Sequence, residues 1–92
     1  MRYTVVWHPD AEAELLRIWL SVPDRQAVTD AANAIDAELS FDAHRAGESR
    51  PNGRRILTHL PLVVVFEAFP VDRVVRVLSV WHVPKRRRNS EA

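Results

Sequence analysis

The stretch RRILTHLPLVVVFEAFPVDRVVRVLSVWH, residues 54–82, decides the fold. It is dense in Val, Leu and Phe, side chains that suit a pleated, buried surface. Two interruptions, His59-Leu60-Pro61 and Pro70-Val71-Asp72, cut it into three runs. Residues 54–58, 62–69 and 73–81 therefore read as consecutive strands. Connections this short join neighbours that run in opposite directions, so the three form an antiparallel meander. Both alternating faces are apolar at the strand centres. Val63, Val65 and Phe69 alternate with Leu62, Val64 and Phe66, and Val75 and Val77 alternate with Leu78 and Val80. Period two does not pick the buried face.

Upstream lies the cover. RYTVVWH, residues 2–8, reads as a short strand with Tyr3, Val5 and Trp7 on one face. Pro9 ends it and suits the first turn of a helix. Asp10, Glu12 and Glu14 follow, favourable at the positive end of a helix. The first helix is expected over 10–21, with Ala11, Leu15, Ile18, Trp19 and Val22 as its apolar stripe. Pro23 breaks it. The second is expected over 24–40 with Asp24 as N-cap and Val28, Ala31, Ala32, Ile35 and Leu39 as its stripe. So short a gap makes an antiparallel helical hairpin, which needs a sheet to bury both stripes. Leu15, Ile18, Trp19, Ala31 and Ile35 should pack there with Val64 or Val65, and Trp7 with them. FDAHRAGESRPNG, residues 41–53, has no period and reads as a loop of roughly a dozen residues, long enough to suggest function. The order is β-α-α-β-β-β, an α+β fold with the helices on one face of a small sheet. The other face needs partial cover from a loop, the tail or a second protein.

The 92 residues suit one domain, read as residues 1–88 with 89–92 as a short polar tail. Cysteine is absent, which excludes disulfides and thiolate chemistry. No run of 18 apolar residues and no signal-peptide pattern is present, so a cytoplasmic location without a membrane partner is expected. The net charge of +1 conceals a division. Residues 10–42 carry eight acids and two bases, a net of −6, and residues 43–92 carry ten bases and four acids, a net of +6. Such separation suits an anionic partner.

The basic set is Arg45, Arg50, Arg54, Arg55, Arg73, Arg76 and the run Lys85, Arg86, Arg87 and Arg88. Guanidinium groups suit phosphate oxygens, although a basic chain end is also a common solvated tail. His82, beside that run, is a candidate for proton transfer or phosphate contact, or else a strand-end residue with local partners. His59, in the expected turn, is a second candidate. His44 is weaker, and His8 reads as structural. Trp81 suits base stacking or core packing. The histidines show no metal-ligand spacing, and neither metal nor cofactor is expected.

The stretches YTVVWHPDAEAELLRIW (3–19) and RRILTHLPLVVVFEAFPVDRVVRVLSVWHVPKRR (54–87) resemble the RelE/ParE superfamily of bacterial toxin–antitoxin toxins, the plasmid stabilisation proteins. The shared features are the opening strand and helix, Gly53-Arg54-Arg55 after a loop, and a last strand running through Trp81-His82 into the basic run to Arg88. The resemblance implies a twisted, mostly antiparallel sheet joined by the first strand, and a small cognate antitoxin as partner. It implies one of two targets. RelE-like toxins are ribosome-dependent mRNA endoribonucleases, for which His82, His59 and Arg55 are the catalytic candidates. Arg45, Arg50, Arg54 and Lys85 to Arg88 would hold the target. ParE-like toxins inhibit DNA gyrase without hydrolysis. A third form retains antitoxin binding alone. RelE toxins carry several central-loop lysines and a C-terminal tyrosine. Here the only lysine is Lys85 and the only tyrosine is Tyr3.

Overall fold

The structure, a computed structural model, describes residues 2–84. Strand β1 (Thr4–Trp7) leads into helix α1 (Pro9–Ser21) and helix α2 (Arg25–Asp42). A 3₁₀ turn at Ala43–Arg45, strand β2 (Glu48–Arg50) and a second 3₁₀ turn at Pro51–Gly53 follow. Strands β3 (Arg54–His59), β4 (Leu62–Phe69) and β5 (Val74–His82) complete the described chain. The five strands form one sheet in the order β1-β5-β4-β3-β2. β1 lies parallel to β5, with Val5 beside Val75 and Trp7 beside Val77. The other pairs are antiparallel.

The helices start where the sequence places caps. His8 Nδ1 accepts the Asp10 N–H at 3.0 Å, with Pro9 in the first turn of α1. Asp24 Oδ1 accepts the Ala27 N–H at 3.1 Å and begins α2. Ala11 and Ile18 of α1, and Val28, Ala31, Ile35 and Leu39 of α2, are buried. They meet Leu62, Val64 and Phe66 of β4 and Val75, Val77 and Val80 of β5. Val77 and Val80 are three apart yet both buried, because the ladder slips between Val65 and Phe66. Val65 pairs with Ser79 and Phe66 with Val77, so Leu78 is the extra residue of a bulge.

Several expectations change. β2 forms inside the stretch expected to be loop. Its three residues are all exposed, so pairing with β3 makes it a strand and no apolar pattern announces it. Gly47 allows the approach. Its φ is +66°, and a Cβ there would lie 2.0 Å from the Ile56 carbonyl oxygen. His59 belongs to β3 rather than to a turn, and Arg73 lies in the turn before β5 with φ +59°. Val64 is buried as expected, and Val65 is half-buried. Leu15, Trp7 and Trp19 pack only partly against the core. The two indoles keep polar ends: Trp7 Nε1 donates to Asp36 Oδ1 at 2.9 Å and Trp19 Nε1 to Thr29 Oγ1 at 3.1 Å. Trp81 is 40% exposed, against the core-packing reading.

Candidate functional site

The helices cover one sheet face. Among the described residues no helix covers the other, and the register orders its side chains in rows. Arg50 of β2 pairs with Arg54 of β3. Arg54 Nε stands 3.7 Å from Glu67 Oε2 on β4. Glu67 pairs with Arg76 of β5, and Arg76 with Val6 of β1. One row, Arg50–Arg54–Glu67–Arg76–Val6, thus crosses all five strands. Its three arginines are exposed. The Arg76 guanidinium also lies 6.0 Å from the centre of the Phe69 ring. Apolar side chains flank the row: Phe69 on one side, Ile56, Val65 and then Trp81 on the other.

Each expected site residue has a definite place. Arg50 and Arg54 are in the row. Arg55, one residue along, faces the helices. Its Nε donates to the Ala46 carbonyl at 2.7 Å and its Nη2 to the Gly47 carbonyl at 3.2 Å. This side chain fastens the loop. Arg55→Met is expected to destabilise the fold by about 1–3 kcal/mol, since both carbonyls lose a charged donor. Urea denaturation reads this directly. A stability unchanged from wild type would show that the loop is held by other contacts. His59 Nε2 lies 2.9 Å from Glu38 Oε1 and ties β3 to α2. Arg45 is exposed on the 3₁₀ turn, its Nε 4.0 Å from Asp42 Oδ2.

His82 is the last residue of β5 and pairs with Leu62. Leu62 is buried under the helices, so the imidazole stands on that side of the sheet. It lines a cleft of about 450 Å³ with Val22, Pro23, Asp24, Ala27 and Pro61 at the tip of the hairpin. The structure therefore does not bring His82 to Arg54, and it parts the expected trio of His82, His59 and Arg55 from the arginine row. His44 lies 2.9 Å from the Tyr3 hydroxyl and 3.1 Å from Asp42 Oδ1, joining the start of β1 to the end of α2. Lys85, Arg86, Arg87 and Arg88 lie outside the described residues.

The sequence offers Arg76 only as one of the general basic set, and it offers Glu67 in no site. Their signal was present: each is a charge inside an otherwise apolar strand. A charge there belongs on an uncovered face, since unpaired burial is costly.

A second feature lies on the outer side of the hairpin. A groove of about 570 Å³ runs between α1 and α2, lined by Leu15, Leu16, Trp19, Val28 and Ala32, with Glu12 at its rim. Leu16 and Leu20 are each 57% exposed. Among the described residues no cluster of three or more acidic or histidine side chains is placed to hold a metal ion. None of the helices there is long and apolar enough to cross a membrane.

No family model matches the chain, and no curated protein does. Solved structures do. The RelBE2 toxin–antitoxin complex of Mycobacterium tuberculosis contains a chain with TM-score 0.75 and 18% identity, covering 92% of this chain and 95% of that one. The chromosomal ParDE system of P. aeruginosa gives TM-score 0.65 and 22% identity over 89% of this chain and 97% of that one. A variant of the E. coli toxin RelE in the free state gives 0.64 and 16% over 89% and 84%. At these identities the likeness is one of architecture, and a helical hairpin on one face of a small, mostly antiparallel sheet is the RelE/ParE fold.

Proposed function

We propose that this chain is the toxin of a type II toxin–antitoxin module, acts in the cytoplasm, and grips its target with the uncovered sheet face. The observation that carries the reading is the row of Arg50, Arg54 and Arg76 on a face without helical cover. The toxin–antitoxin complexes among its structural neighbours support the pairing with a small antitoxin. The apolar hairpin groove is the place for that partner, since a face of this kind suits the apolar stripe of a foreign helix.

The histidines bear on the mode of action. A ribonuclease of the expected kind needs a proton-transfer group beside the cations that hold the phosphate. His8, His44 and His59 have structural partners, and His82 faces the hairpin tip. This favours inhibition by contact, as in the gyrase-directed ParE type, over a His82-centred mRNA endoribonuclease.

Inducing the protein in a bacterium without its antitoxin tests the reading. Transcript integrity and chromosomal breaks are followed separately. Growth should stop, with DNA breaks and intact transcripts, and H82A should remain toxic. Shortened transcripts with relief by H82A would establish the nuclease instead. Normal growth with soluble, folded protein would leave antitoxin binding alone.

A further inference from the structure

Glu67 is the sole acid in the arginine row. Its neighbours across the sheet are Arg54, 3.7 Å away, and Arg76, its paired residue on β5. The separation from Arg54 is longer than a hydrogen bond, so the contact is an ion pair without the fork geometry that makes arginine–carboxylate contacts strong. The Arg54 side chain is 51% exposed and that of Glu67 27%, so solvent screens the pair. Such a pair does little for stability. It does have a consequence for ligands: the carboxylate holds the place beside the Arg54 guanidinium where an anionic oxygen would bind, while the guanidinium of Arg76, its register partner, lies over the Phe69 ring. Phe69 on one side and Ile56 and Val65 on the other offer apolar surface on which nucleobases could lie while their phosphates meet the row.

We propose that Glu67 is a resident competitor in this row, and that a nucleic-acid phosphodiester binds by displacing its carboxylate from Arg54, with Arg76 as the second cation that meets the phosphate. The carboxylate then sets how dense a phosphate charge the face accepts, and it weakens attachment to isolated anions. The inference rests on the uncovered face being the target face, but its test does not depend on toxicity.

Binding is measured by fluorescence anisotropy with the full-length protein. The probes are labelled single-stranded RNA, single-stranded DNA and duplex DNA of one length, in a salt series. E67Q, which keeps the shape and removes the charge, should bind about two- to fivefold tighter, the scale of one exposed ion pair. R54A and R76A should each bind about tenfold weaker, and each should flatten the salt slope by about 0.7 on a single strand. R17A, at an exposed position of α1, should bind like wild type. The probe that responds most to these changes identifies the source of the phosphodiester. In an R54A/R76A background the gain from E67Q should vanish, because nothing remains for the carboxylate to occupy. E67A repeats the measurement should E67Q fold poorly. Equal or weaker binding by folded E67Q or E67A overturns the proposal. So does a gain that persists without the two arginines, which would be bulk charge alone. Loss of toxicity with this pattern intact would fault the functional reading and leave the competitor in place.

Discussion

Phe66→Ala should lower the thermal midpoint by roughly 12–40 °C. Phe66 sits at the centre of β4, fully buried between the helices and the neighbouring strands. Removing a buried phenyl ring typically costs about 3–5 kcal/mol. A domain of 92 residues has a total stability of about 5–14 kcal/mol by per-residue scaling. The residue therefore accounts for about a fifth or more of the margin. Thermal melting by circular dichroism reads it. A midpoint within a few degrees of wild type would show that the helix–sheet interface is not where the fold is held.

The second large effect concerns the hairpin groove. Charging the groove with L16E, and the exposed surface one turn further along α1 with L20E, should abolish capture of the proposed antitoxin while the fold survives, because both leucines are exposed in the free protein. Central apolar anchors typically contribute 2 kcal/mol or more each, so the pair should weaken the complex by about 10³-fold. Co-purification with any small protein encoded beside it provides the readout. Undiminished capture would place the antitoxin on another surface.

The sequence showed the architecture because its signals agreed across scales. Pro9, Pro23 and Asp24 mark the helix boundaries, and the apolar runs mark the three long strands. β2 was hidden because Glu48, Ser49 and Arg50 pair with β3 without burying anything. The buried face of the sheet was also hidden. Valine fills both faces of β4 and β5, and the bulge at Leu78 changes the phase midway, so alternation alone could not place Val77 and Val80 together. Tertiary packing makes that choice.

The site was legible only as a composition. The excess of arginine after residue 43 is visible, but sequence spacing does not separate Arg54 from Arg55. Strand geometry does, sending one to the uncovered face and the other into the Ala46 and Gly47 carbonyls. His82 drew attention by standing next to the basic run. Its register with Leu62 turns it toward the hairpin instead. Glu67 and Arg76 carry the reverse lesson. Two charges in apolar strands, nine residues apart in sequence, become neighbours only when β4 and β5 pair.

The central claim is a division of labour, with the arginine face for the target and the hairpin groove for the antitoxin. It is tested most directly by colony survival after induction of an R54A/R76A variant, in cells where the wild type stops growth. Circular dichroism and antitoxin co-purification confirm that the variant is folded and still captured. The account predicts survival close to that of uninduced cells, because losing two charged contacts weakens target binding by about 10²-fold or more. Killing as complete as that by wild type, from a folded variant that still binds its antitoxin, would contradict it.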